Sequence, residues 1–95
     1  MKYESRSAYH PTNVGENLSF TSASAQSAAL RGGVYAICPT QTCYIQLGPN
    51  PTATVGSGSM RIVQNERLFI QVHNNEEIAA IRETVDGILN ITLQQ

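Results

Sequence analysis

The chain has 95 residues, a formal net charge of −1 and only 14% charged residues, which indicates a single small domain with a weakly charged surface that suits packing against protein. Its six lysines and arginines are scattered along the sequence, so the clustered basic footprint of a nucleic-acid-binding protein is not present. No apolar run reaches the ~18 residues of a membrane span, and the N-terminal residues lack the apolar core of a secretory signal, so we expect a cytosolic origin.

The N-terminal stretch MKYESRSAYHPTNVG is polar and is interrupted by Pro11 and Gly15. We predict an irregular N-terminal arm over residues 1–15 and a β-domain over residues 16–95. Simple disorder of the arm is the alternative, as at many chain termini. If the arm docks on a neighbouring subunit, its aromatic and imidazole side chains are the contact candidates: Tyr3, Tyr9 and His10.

The next segments have the composition of β-strands. Residues 16–30 alternate weakly, and although their alanines would allow a helix over 22–30, the serines and threonines favour one or two short strands. Residues 33–38 and 43–48 are rich in β-branched and aromatic residues. Because only four residues join them, they predict a β-hairpin.

The two cysteines, Cys38 and Cys43, would flank the turn of this hairpin as a cross-strand pair. In that register Ala36 would lie opposite Ile45. Such a pair is within disulfide reach, whereas a reducing origin favours free thiols. The spacing of the cysteines differs from the C-x-x-C of redox and zinc motifs.

Residues 43–60 carry no charge and contain a proline-rich corner. Gly48 allows a positive φ where the strand ends, and Pro49 and Pro51 stop strand pairing because they lack a donor. Asn50 precedes a proline, so we expect it to be extended. We interpret the corner as a candidate protein-contact surface, with these candidate contact residues: Pro49, Asn50, Pro51 and Thr52.

The C-terminal third predicts further strands. Residues 59–64 and 67–72 form a predicted strand pair around a short Asn-Glu loop that needs to be slightly longer, because Glu tolerates a positive φ poorly. Residues 74–85 fit either a capped helix or a strand, and residues 88–93 fit a strand after an Asp-Gly turn. Seven or eight short segments separated by turns indicate an all-β sandwich or barrel.

No residue pattern in the chain points to catalysis, a cofactor or a metal. His10 and His73 stand apart from any H-x-H or H-E-x-x-H spacing, and the carboxylates form no spaced motif. GSGS at 56–59 lacks the lysine of a phosphate loop and precedes a strand. A cysteine paired with His73 could form a thiol nucleophile only through a spatial coincidence. We therefore expect no enzymatic activity, no catalytic residues, no cofactor and no metal site.

Four pieces of the chain, in order, resemble a family of small tailed-bacteriophage virion proteins. They are CYIQLG at 43–48, PNPTAT at 49–54, IAAI at 78–81 and GILNIT at 87–92. The resemblance implies a compact, antiparallel, jelly-roll-like β-sandwich that decorates or cements a phage capsid, often as trimers. It also implies a strand at 77–83. The family places a glycine in the turn before that strand, and here Asn74-Asn75 can serve because Asn reaches the left-handed conformation.

The resemblance and the low charge together predict a virion structural protein. It would be synthesised in the host bacterial cytoplasm and located at the capsid surface. Its expected partners are the phage major capsid protein and its own copies, with which it would form a homotrimer. We expect no nucleic-acid or membrane partner. The alternative is a small receptor- or carbohydrate-binding β-domain of a phage tail or fibre. Sugar platforms favour Trp and clustered Tyr, and this chain has no Trp and four spread Tyr.

Overall fold

The computed structural model describes residues 10–94, which form eight β-strands and no helix. The strands are β1 (Pro11–Phe20), β2 (Ala25–Gln26), β3 (Gly33–Pro39), β4 (Cys43–Gly48), β5 (Met60–Ile62), β6 (Leu68–Val72), β7 (Glu77–Arg82) and β8 (Gly87–Gln94). The predicted all-β class with seven or eight short strands is confirmed.

The strands form two antiparallel four-stranded sheets. Sheet A has the order β1-β8-β3-β6, and sheet B has the order β2-β7-β4-β5. The first strand pairs with the last, the second with the seventh, the third with the sixth and the fourth with the fifth. This is one long antiparallel ribbon rolled into two layers, the arrangement of an eight-stranded jelly roll. The predicted antiparallel, jelly-roll-like sandwich is therefore confirmed.

The hydrophobic core lies between the two sheets. In β8, Leu89, Ile91 and Leu93 are buried, whereas Ile88 and Asn90 between them are exposed. This alternation follows from the two-residue period of a strand, which sends successive side chains to opposite faces. The inner faces of both sheets supply the largest buried side chains of the core: Phe20, Tyr35, Ile37, Ile45, Ile62, Ile78, Leu89 and Ile91.

The segment after β2 closes one side of the sandwich through Ser27, whose side chain is buried. The Ser27 amide donates to the Ile78 carbonyl at 2.8 Å, and the Ser27 hydroxyl accepts from the Ile78 amide at 2.9 Å. The same hydroxyl donates to the carbonyl of Ala28. Ser27 is therefore fully hydrogen-bonded in a place where an unpaired polar group would be costly.

The predicted hairpin of residues 33–38 and 43–48 is wrong. β3 belongs to sheet A, where it pairs with β6 and β8, and β4 belongs to sheet B, where it pairs with β5 and β7. The chain crosses between the layers over residues 40–42. Packed sheets lie ~10 Å apart, a distance that a few extended residues span, so a short connection is compatible with either arrangement. Cys38 and Cys43 therefore do not pair, and both thiols are free.

The strand pair predicted at 59–64 and 67–72 is also wrong in its pairing. β5 pairs with β4 and β6 pairs with β3, so the two segments lie in different sheets. The connection is longer than two residues, as expected, and Asn65 takes a positive φ of 65°. The ambiguous segment is the strand β7, as the resemblance implies, and it follows a turn in which Asn75 has a φ of 71°.

The start of the domain differs from the prediction. β1 begins at Pro11, so residues 11–15 are part of sheet A and do not belong to an irregular arm. The register of β1 against β8 shifts between Pro11 and Gly15, where Asn13 and Gly15 take φ values of 72° and 151°. These two residues absorb the irregularity as a β-bulge, which lets the strand continue through them. Residues 1–9 of the predicted arm lie outside the described residues.

Candidate interaction surface

The outer face of sheet A is an uncharged surface spread over four strands. Strand alternation and the register place the following side chains on it: Asn17 and Ser19 from β1, Ile88, Asn90, Thr92 and Gln94 from β8, Val34, Ala36 and Cys38 from β3, and Phe69 and Gln71 from β6. We call this set the neutral face. Arg67, just before β6, borders it. The outer face of a solvated sheet is normally polar or charged, so an uncharged one suits contact with protein.

Large apolar side chains are exposed on the neutral face. Val34, Phe69 and Ile88 have 40%, 44% and 42% of their surface exposed. Val34 and Ala36 lie beside Gln71 and Phe69 in the register of β3 and β6, so the β3–β6 side of the face is predominantly apolar. Contiguous exposed apolar groups mark contact sites more often than isolated ones do, and here the contiguous group is Val34 with Phe69, while Ile88 lies apart at the far end of β8.

From Asn17 to Gln94, the β1–β8 side of the neutral face is a chain of hydrogen-bonded amides and a hydroxyl, and Ile88 lies beyond it at the start of β8. Asn90 donates to the Asn17 side-chain oxygen at 2.9 Å, and Thr92 donates to the Asn90 oxygen at 3.2 Å. Further along β8, Gln94 donates to the Thr92 carbonyl at 3.3 Å and accepts from the His10 amide at 2.7 Å. Amides carry donors and acceptors without charge, so this side of the face is polar and neutral.

A shallow cavity of about 290 Å³ lies beside the bulge of β1. Its lining combines backbone and side-chain groups of both strands: Pro11, Asn13, Val14, Gly15, Glu16, Asn17, Asn90, Ile91 and Thr92. The Glu16 carboxylate accepts from the Ala28 amide at 3.0 Å. The cavity is thus a polar indentation at the margin of the neutral face.

One end of the outer face of sheet B is covered by the chain itself. The corner loop, residues 49–59, crosses this face. Gln26 on β2 donates to the Pro51 carbonyl at 3.0 Å, and Ser59 donates to the side-chain oxygen of Gln46 on β4 at 3.3 Å. Ala79 is fully buried although strand alternation places it on the outer face between the core residues Ile78 and Ala80. The corner loop accounts for this burial.

The four candidate contact residues of the corner differ in their exposure to solvent. Pro49, Asn50 and Thr52 are exposed, whereas Pro51 is buried against the chain's own sheet. Next to Thr52, Ala53 is only 2% exposed, and its amide donates to the Ser24 hydroxyl at 2.9 Å. Part of the predicted contact surface is therefore an internal packing surface.

Asn50 is held by partners within the chain. Its amide donates to the Glu77 carboxylate and its side-chain oxygen accepts from Gln26, both at 2.7 Å. Its φ is 53°, so the extended conformation predicted from the following proline is wrong. These two hydrogen bonds favour the left-handed conformation, which Asn tolerates better than most residues.

Of the three predicted contact residues in the N-terminal segment, the structure describes His10. His10 is exposed at the start of the described chain, and its amide reaches Gln94 on β8. This places His10 at the end of the neutral face. Tyr3 and Tyr9 lie outside the described residues.

The other end of sheet B carries an ionic cluster. The guanidinium of Arg61 on β5 contacts the Glu83 carboxylate through two nitrogens, at 2.7 and 3.2 Å, and the Tyr44 hydroxyl donates to the same carboxylate at 3.2 Å. The hydrogen bond from Arg61 lowers the pKa of Glu83, and the pKa of Arg61 is raised by the same bond. Charge is thus concentrated on the sheet B side and in the turns.

Sequence reasoning did not identify the neutral face because its residues come from four strands far apart in the chain. A signal for it does exist in the alternation of β8 and β3. Ile88 and Val34 are apolar at positions whose parity is opposite to that of the buried residues Leu89 and Tyr35. Apolar residues of both parities indicate a strand that is covered on both faces.

Comparison of the chain with family models, with curated proteins and with solved structures found no match. Across residues 10–94 no three His, Cys, Asp or Glu side chains come together as a metal-binding group. The same part of the chain contains no helix with the length and apolar character needed to cross a membrane.

Proposed function

We propose that this protein is a non-enzymatic structural component of a tailed-phage virion that decorates or cements the capsid through protein–protein contacts. The observation that carries the proposal is the neutral face, an uncharged outer sheet surface with three exposed large apolar side chains. The corner loop and the segments around β7 and β8 resemble small virion proteins, and this resemblance is the reason for proposing a phage virion as the assembly. The homotrimer and the capsid-surface location are parts of the proposal that follow from that resemblance.

The desolvation energies of its side chains favour the neutral face as a protein-contact surface. The side chains of the neutral face carry no charge, so no ionic desolvation cost of their own opposes burial of the apolar side chains, and Arg67 lies at the border of the face. Its polar members are amides and hydroxyls, which can exchange water for hydrogen bonds with a partner. An interface core depleted of charge and supplied with an aromatic residue such as Phe69 has the usual composition of a protein contact.

The proposal is tested by following the protein into particles. We expect mass spectrometry of purified particles from the producing host to find it at a fixed stoichiometry to the major capsid protein. In a rebinding assay with particles lacking the protein, Phe69→Glu should reduce occupancy at least about 10-fold, since a charge on the face must be desolvated on docking.

The matched control for this assay is Val85→Glu. Val85 is also an exposed apolar residue, 51% exposed, but it lies in the turn between β7 and β8, outside the neutral face. Its replacement should leave occupancy unchanged. Absence of the protein from purified particles would contradict the proposed function. Equal occupancy of the two variants would show that the neutral face does not contribute to particle binding.

A further inference from the structure

We propose that the outer edge of β6 binds an extended segment of the capsid shell protein, which becomes an added strand of sheet A. The identity of this occupant rests on the virion role proposed above, and strand addition names the mode of contact with the particle. A strand at a sheet edge directs a row of backbone donors and acceptors away from the sheet. Extended segments of partner proteins bind such rows by main-chain hydrogen bonds.

β6 is a regular edge strand of sheet A. It stands last in the order β1-β8-β3-β6, and no other strand of residues 10–94 pairs with its outer side. Its register with β3 is continuous from Leu68 to Val72. A strand of five residues without an irregularity keeps its backbone groups in the spacing that a further strand requires.

The other three edge strands of the described chain carry features that discourage strand addition. β1 contains Pro11 and the bulge between Asn13 and Gly15. β2 has two residues, and β5 has three, one of which is Arg61. Prolines, bulges, short length and charges are the means by which sheet edges avoid pairing. Leu68–Val72 contains no proline, no charged residue and no bulge, so β6 is the described edge best suited to accept a strand.

The apolar side chains near this edge indicate the chemistry of the added strand. β1 contacts β2 and β7 across the layers, so β6 lies over β5 at the opposite side of the sandwich. Leu68 and Ile70 on β6 pack against the core but remain partly exposed. Met60 on β5 is 43% exposed, although its register partner Ile45 belongs to the core. A neighbouring strand covers such a row with every second side chain, so the occupant should have apolar residues at alternate positions.

A cavity of about 260 Å³ lies on the same side of the sandwich, where the pairing of β4 with β5 ends. Its lining is formed by Ile45, Gln46, Leu47, Gly58 and Met60. Three of these residues carry large apolar side chains, and Leu47 is only partly buried. The cavity therefore offers an apolar recess for an inward-facing side chain of the added strand.

The outward-facing side chains of the added strand would continue the neutral face. They would lie beside the contiguous pair Val34 and Phe69, on the β3–β6 side of that face. Edge and face then form one contact surface with the particle. A homotrimer is compatible with this arrangement, because each copy contributes its own β6 edge to the shell.

Electron cryo-microscopy of particles occupied by the full chain provides the test. We expect a fifth strand in sheet A, beside β6 at a spacing of ~4.8 Å, whose density traces to the shell protein. Hydrogen exchange followed by mass spectrometry gives a second readout. Amides of the peptide that spans residues 68–72 should exchange at least about 10-fold more slowly on particles than in the free protein, because the added strand accepts their hydrogen bonds.

Met60→Lys tests the apolar side chains beside the edge. Met60 is already exposed, so the variant should fold, and urea unfolding checks this. In the rebinding assay with particles that lack the protein, the variant should lower occupancy at least about 10-fold, since the new charge must be desolvated under the added strand. Val85→Lys is the matched control, because Val85 is exposed in the turn between β7 and β8, and it should leave occupancy unchanged.

The outcomes separate the mode of contact from the proposed function. On occupied particles, a β6 edge that faces solvent or that pairs with residues 1–9 of this protein would overturn the inference and leave the virion role standing. Equal occupancy of Met60→Lys and Val85→Lys would likewise argue against strand addition at this edge. Absence of the protein from particles would overturn the virion role, and the shell protein as occupant with it.

Discussion

At the scale of single residues, Gly15 shows how one position permits the longest strand to pair. Its φ of 151° lies where side-chain-bearing residues are strained, and a Cβ there would overlap the backbone carbonyl oxygen of Ile91 on β8. The bulge of β1 therefore depends on glycine for both its conformation and its clearance.

We expect Gly15→Ala to lower the free energy of unfolding by at least about 2 kcal/mol, because backbone strain and a steric clash act together. Gly56→Ala is the control, since Gly56 has a φ of 122° but nothing within 4 Å of its Cβ position. It should cost only the strain, about 1 kcal/mol. Urea denaturation measures both variants, and equal losses would show that the clash with Ile91 is relieved at no cost.

Burial of the Cys43 thiol makes the free energy of unfolding depend on pH. Burial raises the pKa of its thiol from 9.0 to about 11, so the unfolded chain loses this proton at a lower pH than the folded chain. The resulting stabilisation is complete below pH 9 and is lost as pH rises towards 11. The shift corresponds to about 2–3 kcal/mol.

We expect the free energy of unfolding to fall between pH 9 and pH 11 more steeply in the unaltered chain than in Cys43→Ala. The difference between the two slopes isolates this thiol from the other groups that titrate in the same range. Urea denaturation at a series of pH values measures it. Parallel slopes for the two chains would argue that Cys43 does not retain its proton in the folded state.

At the scale of elements, the turn between β6 and β7 has a single conformational requirement, which Asn75 meets. Its φ is 71°, and its amide donates to the Leu30 carbonyl at 2.7 Å. The turn thus ties the start of β7 to the segment that follows β2. Asn and Gly reach this conformation with little strain, whereas residues with other side chains do so at a cost of about 1–2 kcal/mol.

We expect Asn75→Ala to destabilise the protein by about 1 kcal/mol and Asn75→Gly to remain within about 0.5 kcal/mol of the unaltered chain. Thermal unfolding of the two variants measures the difference. If the alanine and glycine variants unfold at the same temperature, the backbone conformation of the turn is not what limits stability there.

Element types were predictable from the sequence, but the pairing of the elements was not. The strand composition at 33–38 and 43–48 corresponds to β3 and β4, which the structure places in different sheets. Short local connections are equally compatible with a hairpin and with a crossing between layers. The choice between them depends on the distant strand β8, which pairs with β3 along almost its whole length.

At the scale of the whole molecule, β1 joins the N-terminal part of the chain to its C-terminal strand. The Thr12 hydroxyl donates to the Leu93 carbonyl at 3.0 Å, and Val14 packs on the core. Removal of residues 1–15 would therefore take part of sheet A away and leave the final strand without its partner there.

We expect deletion of residues 1–15 to lower the free energy of unfolding by about 2–4 kcal/mol, from the lost burial of Val14 and the lost hydrogen bonds to β8. Deletion of residues 1–9 is the control, because it spares every contact of β1 described above. Chemical denaturation of both truncated chains measures the effect. Equal stability of the two would show that residues 10–15 contribute nothing to the sandwich.

The candidate site also belongs to this scale. Its corner part was predictable because the prolines and the missing charges are contiguous in sequence, although the structure shows that Pro51 is buried on the chain's own sheet. The neutral face was not predictable as a unit, because Val34, Phe69 and Ile88 come to share one face only when β3, β6 and β8 form one sheet.

The sequence by itself determined the all-β class, the low surface charge, most of the strand positions and some of the turns that need Asn or Gly. These are local properties, set by side-chain composition, by a two-residue period and by the few residues that tolerate a positive φ. The tertiary structure alone decided which strands share a sheet, that β1 begins at Pro11, that the corner loop covers part of the outer face of sheet B and that sheet A presents an uncharged face. Those outcomes depend on contacts between residues distant in sequence, up to the seventy-three positions that separate Asn17 from Asn90, and no local pattern encodes such contacts.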